Sequence, residues 1–289
     1  MRAHQRIFQG EAGRMLWMIL PALVLVLCLL FIGYILQGFS RRSEQRQIVH
    51  DVQRRHSANP SSLLVDVESV APTKVVQKLP SDLRQHFYEM SFVSFEESVS
   101  EDDFADLQKM PDIKGLKFLN CNDVSDDELA YLSDLQTLDT LFLESLAISD
   151  DGLVHLAGLV KLQKLSLILC SNVSGAGFVH LEGMGNLREL QLGNTALNDA
   201  GLSNLKRLEE LETLSIYGTS VSDNGMPHLS SLKKLKHLEL DATSITDAGL
   251  SHLEELKNLE TLFISRTDVT SNGVAALKQA IPNVDIYVD

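Results

Sequence analysis

The sequence predicts an α/β solenoid of about eight repeats, each a short strand followed by a helix. The strands form a parallel sheet on the concave face, and one transmembrane helix precedes them. Three observations predict this. Rows that begin at Ile113, Leu138, Leu162, Leu187, Leu211, Leu235 and Leu259 fall at intervals of 25, 24, 25, 24, 24 and 24 residues. Each row repeats one apolar pattern, clearest in LETLSIYGTSVSDNGMPHLSSLKK from Leu211 and LKHLELDATSITDAGLSHLEELKN from Leu235. Upstream, residues 15–37 (MLWMILPALVLVLCLLFIGYILQ) carry no charge at all.

Each column of the repeat has a physical reason. Leu214 and Ile216 lie two apart, so they share one face of a short strand and Ser215 points to the other. Ser125, Ser149, Ser222 and Thr246 stand where a helix must start, and their hydroxyls suit the N-cap. Asp126, Asp150, Asp223 and Asp247 follow them and are expected to meet the positive helix end. Leu250, Leu253 and Leu256 then recur at three-residue intervals and face back onto the strands. Val93, Phe95, Val99, Phe104 and Leu107 fit the same template as a degenerate first unit, so the repeats occupy 93–280. No single repeat can stand alone, because its apolar flanks need neighbours to cover them. Strands stack at ~4.8 Å and helices at ~8–10 Å, so the sheet is expected to line the inside of an arc. At the C-terminal end, 281–289 reads as a capping strand in which Val284, Ile286 and Val288 alternate with Asp285, Tyr287 and Asp289. At the other end, 63–92 reads as a linker and N-terminal cap with a helix-start signature over 79–87.

As a helix, residues 15–37 would extend roughly 34 Å at ~1.5 Å per residue, enough to cross a bilayer. Trp17 and Tyr34 fall near its two ends, at headgroup level, and Pro21 sits in the first turns where a missing donor is tolerated. A cleaved signal peptide would have a shorter apolar core and small residues at its exit, where this chain has Tyr34, Ile35 and Leu36. The segment leaves 1–14 as a short tail and 38–62 as a basic juxtamembrane stalk. Within the stalk, 41–56 (RRSEQRQIVHDVQRRH) reads as a basic helix, solvated or against lipid headgroups. The reading places the chain in the cell membrane as a single-pass protein. Five Arg after the apolar run against three before it favour cytoplasmic repeats. Long C-terminal domains, however, cross largely regardless of their own charge, and the balance leans to an exported repeat domain.

Residues 1–60 hold eight Arg against three acidic residues; of 25 basic and 39 acidic residues in all, 17 and 36 remain in 61–289, a net charge of −19. Nucleic acid is excluded as a partner, since phosphate binding needs a basic surface. Three cysteines are too few for a disulfide framework. Cys121 and Cys170 occupy one column two repeats apart, roughly 10 Å at the spacing of sheet strands and beyond disulfide reach, so both read as small buried hydrophobes. His155, His180, His228 and His252 form another column. Neighbouring helices hold them too far apart to converge on one ion, so packing is their expected role and no metal site is read here. Thr195, Thr219, Thr243 and Thr267 form a column at the strand exit, expected to bond to turn backbone. No phosphate-cradling loop, nucleophile elbow or triad signature is present, so neither a cofactor nor an enzymatic activity is expected.

The pattern resembles the leucine-rich-repeat superfamily, in particular its cysteine-containing, ribonuclease-inhibitor-like branch and bacterial proteins that repeat ITDAGLxxL. The carriers are Ile245-Thr246-Asp247-Ala248-Gly249-Leu250, Leu197-Asn198-Asp199-Ala200-Gly201-Leu202 and Ile148-Ser149-Asp150-Asp151-Gly152-Leu153. The resemblance covers 90–289. It implies a right-handed leucine-rich-repeat solenoid and a protein-binding role, with the partner set by variable strand residues. Leu146 departs from the Thr or Cys of its column and Gly175 from the Asp of the cap.

The functional expectation is therefore a membrane-anchored receptor or scaffold that binds a protein on the concave face. The alternative is a structural envelope component without a specific ligand. Outward strand residues form two columns, Ser94, Lys117, Phe142, Ser166, Gln191, Ser215, Glu239, Phe263 and Glu96, Leu119, Glu144, Ile168, Gly193, Tyr217, Asp241, Ser265. Leu119, Phe142, Ile168, Tyr217 and Phe263 are the apolar members and the candidate partner contacts. Glu239 and Asp241 add an acidic rim that suits a basic partner. The exported reading predicts that protease added to intact cells digests residues 61–289 while the tail 1–14 survives; protection of the repeats would place them in the cytoplasm instead.

Overall fold

The computed structural model describes residues 88–110 and 112–288, the strand β1 (Leu63–Ser69), and two helical positions, Gln47 and Asp51. The apolar run 15–37 and the segment 79–87 lie outside the described residues, as does 41–56 apart from those two positions. No helix among the described residues is long and apolar enough to cross a membrane. The chain divides into two units, 1–48 with 69–88 and 49–68 with 89–289, and the second contains the repeats.

Ten strands form one sheet in sequential order. After β1 come β2 (Tyr88–Glu96), β3 (Gly115–Leu119), β4 (Thr140–Glu144), β5 (Lys164–Ser166) and β6 (Glu189–Gln191). Then follow β7 (Thr213–Ser215), β8 (His237–Glu239), β9 (Thr261–Phe263) and β10 (Asp285–Tyr287). Every pairing from β2 to β10 is parallel. β1 and the start of β2 fall within 63–92, so the sheet begins ahead of the first recognisable repeat.

The sequence pattern sets the core. In the repeat that starts at Leu211, Leu211, Leu214, Ile216, Val221, Met226, Leu229 and Leu232 are all fully buried. Burial of this kind stabilises by about 1.5–3 kcal/mol per large side chain. Behind the sheet, the expected helices are corrected in type. Half of the described ones are 3₁₀ turns: Ala130–Leu132, Asp151–Leu156, Ala176–Leu181, Ser203–Arg207 and Met226–Ser231. α-Helical geometry is confined to α1 (Glu101–Gln108), the single turns α2 (Asp126–Leu129), α3 (Asp199–Leu202) and α4 (Asp247–Ser251), and the last helix α5 (Ser271–Ala280). The reason lies in the leucine spacing. Leu153, Leu156, Leu159 and Leu162 are all buried at strict three-residue intervals, and where Leu250, Leu253, Leu256 and Leu259 keep the same interval the α-helix α4 lasts only five residues. A period of three lines up along a 3₁₀ helix, whereas on an α-helix it drifts by about 60° per step.

The aspartates Asp126 and Asp247 stand in the first helical turn as expected, and the column does a second job there. Each carboxylate reaches forward to the cap residue of the next repeat. Asp126 accepts from the backbone N–H and hydroxyl of Ser149 (2.7 and 2.6 Å). Asp199 does the same for Ser222, Asp223 for Thr246 and Asp247 for Thr270. Asp150 takes four donors: the N–H and hydroxyl of Ser174 and the N–H groups of Gly175 and Gly177. The glycine of the motif follows from this ladder. A Cβ at Gly249 would collide with the Asp223 carboxylate, and one at Gly273 with that of Asp247. Gly175 supplies no carboxylate, so the ladder skips one rung; there Asn198 caps α3 through the N–H of Gly201 (3.1 Å).

The turn out of each strand uses one residue in the left-handed region: Asn120, Ser145, Leu169, Asn194, Gly218, Ala242 and Arg266. Asn and Gly suit it, while Leu169 is a costlier occupant, by roughly 1–2 kcal/mol. The threonine column closes the same corner: the hydroxyls of Thr195, Thr219, Thr243 and Thr267 donate to the carbonyls of Leu192, Ile216, Leu240 and Ile264.

Aromatic packing covers the N-terminal end. The Ser100 hydroxyl and N–H both bond Asp103 at the start of α1, and Phe104 on that helix lies 5.5 Å from Phe118 and 5.2 Å from Tyr131. At the other end Val284 is buried but Val288 is half exposed, contrary to the expected inward alternation.

The ladder generates a pH prediction. Burial works to raise the Asp150 pKa, but the bonds from Gly177, Ser174 and Gly175 outweigh it and hold it below the ordinary 3.8. A depressed carboxylate contributes stability that is complete above its ordinary value and is lost as pH falls through the folded one. Thermal melts should therefore show the wild type losing stability below about pH 3.8 more steeply than Asp150→Asn. Asp150→Ala should cost about 1–3 kcal/mol at neutral pH.

Candidate docking face

The register decides which outward side chains become neighbours. One row runs Ser94, Lys117, Phe142, Ser166, Gln191, Ser215, Glu239, Phe263 and Tyr287 across successive strands, each paired with the next. A second opens with Glu96, Leu119 and Glu144. These are the columns expected from the repeat, now extended by one residue at Tyr287.

The seven candidate residues do not form one patch. Phe142 belongs to a group near the N-terminal end. Its ring lies 6.3 Å from Phe92 and has the Lys117 ammonium 6.0 Å from its centroid. Lys117 also pairs with Glu144 at 3.5 Å, and the Ser166 hydroxyl donates to the other Glu144 oxygen at 3.1 Å. Leu119 stands on β3 between Glu96 and Glu144. A second group begins beside it at Ile168, whose carbonyl accepts the Ser145 N–H, and runs on to β9. Ile168, Tyr217, Glu239 and Phe263 line one open recess of ≈ 170 Å³, together with Gln191, Ser215 and His237. Tyr217 lies over Gly193, where the absence of a Cβ makes room for its ring. Phe263 stacks on Tyr287 with centroids 4.8 Å apart. Asp241 is not part of the recess wall; its carboxylate accepts the Ser265 N–H at the strand exit.

Three contributors escaped the sequence reading. Phe92, Thr213 and His237 precede the two columns by one outward position, and the alternation of the strand that placed Ser215 and Glu239 on this face could have found them. The lysines along the strand starts are already engaged: Lys164 with Glu189 at 3.0 Å and Lys236 with Glu212 at 2.6 Å. Such exposed pairs contribute about 1 kcal/mol at most, and among the described residues no lysine or arginine lines the recess beside Glu239.

The histidine column is exposed or half-buried on the opposite side, and no group of three or more His, Cys, Asp or Glu among the described residues could hold a metal ion. Cys121 and Cys170 are both buried free thiols. The Cys170 thiol donates to the Leu143 carbonyl at 3.1 Å.

No protein-family model and no curated protein matches the sequence. Among solved structures, the crystal structure of internalin C2 from Listeria monocytogenes superposes with a TM-score of 0.55 at 20% identity, over 75% of this chain and 89% of that one. The fold is a leucine-rich repeat. At this identity the likeness speaks for the leucine-rich-repeat architecture alone, and the outward residues of this leucine-rich-repeat sheet are its own.

Burial pushes both leucine-rich-repeat thiols up to about 11; Asp123 and Glu96 add to this at Cys121, and Glu144 at Cys170. At pH 8 about one thiol in a thousand is ionised at each site. Iodoacetamide should therefore leave the peptides of Cys121 and Cys170 unlabelled in the native protein and label both in denaturant. Mass spectrometry without reductant should find no link between them.

Proposed function

We propose that this chain is a membrane-anchored protein-interaction module, a receptor or scaffold of the cysteine-containing leucine-rich-repeat kind, that docks a basic protein on its sheet face. The single observation that supports it is the recess between Ile168 and Phe263, where aromatic and aliphatic walls meet an acidic group on a rigid sheet. Binding hot spots are commonly built this way, because a rigid sheet loses little entropy when its displayed rings are covered. The reading takes this face as concave, since strands stack more closely than the turns behind them. It takes residues 15–37 as the anchor and the repeats as exported. Catalysis has no part in it.

The test is capture of a partner from membranes by the full chain, followed by affinity measurement. Phe142→Ala with Tyr217→Ala should weaken the complex about 30-fold, roughly 2 kcal/mol, with the melting temperature unchanged. Charge reversal at Glu239 and Asp241 should slow association and flatten its salt dependence. A partner indifferent to both pairs would move the docking site to the helical side of the repeats.

A further inference from the structure

We propose that the recess receives a lysine or arginine side chain of the partner, seated between the Tyr217 and Phe263 rings with its charge on Glu239. This rests on the docking reading above and adds the chemistry of the inserted group. The Glu239 carboxylate is half-buried and receives one protein hydrogen bond, from the Ser215 hydroxyl to Oε2 at 2.5 Å. Its Oε1 has no partner among the described residues, and no lysine or arginine lines the recess. A carboxylate held against apolar walls is poorly hydrated, so a cation that reaches it gains more than it would at an open surface.

The same sheet shows what completes such a group. Four strands away, Glu144 has one oxygen on the Ser166 hydroxyl, as Glu239 has on Ser215. There the other oxygen is met by Lys117, whose ammonium also lies 6.0 Å from the centre of the Phe142 ring. Serine, glutamate, aromatic ring and cation make a closed set at the N-terminal group. The C-terminal recess contains the first three in a different arrangement and lacks the fourth. An apolar side chain could cover Ile168, Tyr217 and Phe263 but would strand the Glu239 carboxylate, at a cost of about 1–3 kcal/mol. A cation satisfies the carboxylate and gains attraction from ring faces as well. The net charge of −19 over 61–289 would draw such a group in from a distance.

Methyl NMR of the full chain labelled at isoleucine reads the recess through Ile168. The probes are the tripeptides Gly-Lys-Gly and Gly-Arg-Gly, the uncharged norleucine analogue, and Gly-Glu-Gly. The lysine and arginine peptides should shift the Ile168 methyl saturably with Kd about 1 mM, and the norleucine and glutamate peptides should bind at least tenfold more weakly. Glu239→Gln should weaken the lysine peptide at least fivefold and leave the norleucine response as it was. Equal binding of norleucine and lysine, a lysine response that survives Glu239→Gln, or no saturable shift with any cation overturns the proposal. If partner capture depends on Phe142 and Tyr217 while the cationic peptides leave Ile168 unmoved, this inference falls alone; if the capture is indifferent to that pair, the docking reading falls with it.

Discussion

The solenoid depends on each repeat holding the register of its neighbour, and the carboxylate that crosses from one repeat to the next enforces that register. A stack of leucines attracts without direction and would tolerate sliding. The aspartate ladder is directional: each carboxylate takes an N–H and a hydroxyl of the following cap, as Asp223 does with Thr246. It also excludes side chains from the space it fills, which is why glycine stands at 249 and 273. One motif therefore carries three linked requirements: a hydroxyl that donates, a carboxylate that accepts across the interface, and a glycine that leaves room.

Register on the back of the repeat becomes geometry on the sheet. Residues 24 or 25 positions apart in the chain become lateral neighbours on adjacent strands, so Lys117 meets Phe142 and Phe263 meets Tyr287. The outward face is then a grid whose chemistry changes from one end to the other. Near the N-terminal end Lys117 and Glu144 pair with each other. Toward the C-terminal end a carboxylate faces a recess that no lysine or arginine among the described residues lines. A rigid grid that is satisfied at one end and open at the other is an asymmetric surface, and asymmetry of this kind gives a docked chain a direction.

The buried thiols and the corner residues show how far the repeat tolerates substitution. Cys121, Cys170, Thr195 and Thr219 share a column because each can donate to a backbone carbonyl, the cysteines to Phe95 and Leu143 on the preceding strand and the threonines to Leu192 and Ile216 of their own repeat. Leu146 cannot, and is simply packed away. Leu169 takes the left-handed corner that Asn120 and Asn194 occupy elsewhere, and it is half exposed beside Ile168. The strain there is tolerated because the strands on both sides fix the backbone.

The sequence by itself determined the period, the strand positions and the side chains that face outward, because alternation along a strand and recurrence at 24 residues are local properties of the chain. The first expected row matched the observed register residue for residue from Ser94 to Phe263, and the second from Glu96 to Glu144. It also placed Cys121 and Cys170 too far apart to pair. The tertiary structure alone decided the role of the aspartates, since Ser-Asp reads as an ordinary helix start until the partner 23 residues away is brought beside it. It decided that half of the helical segments behind the sheet are 3₁₀, a choice between periods of 3.0 and 3.6 that short segments leave to packing. It divided the candidate residues into two groups and left one carboxylate without a cation. That last outcome depends on which side chains meet across strands, a property of the stacked repeats that no single repeat contains.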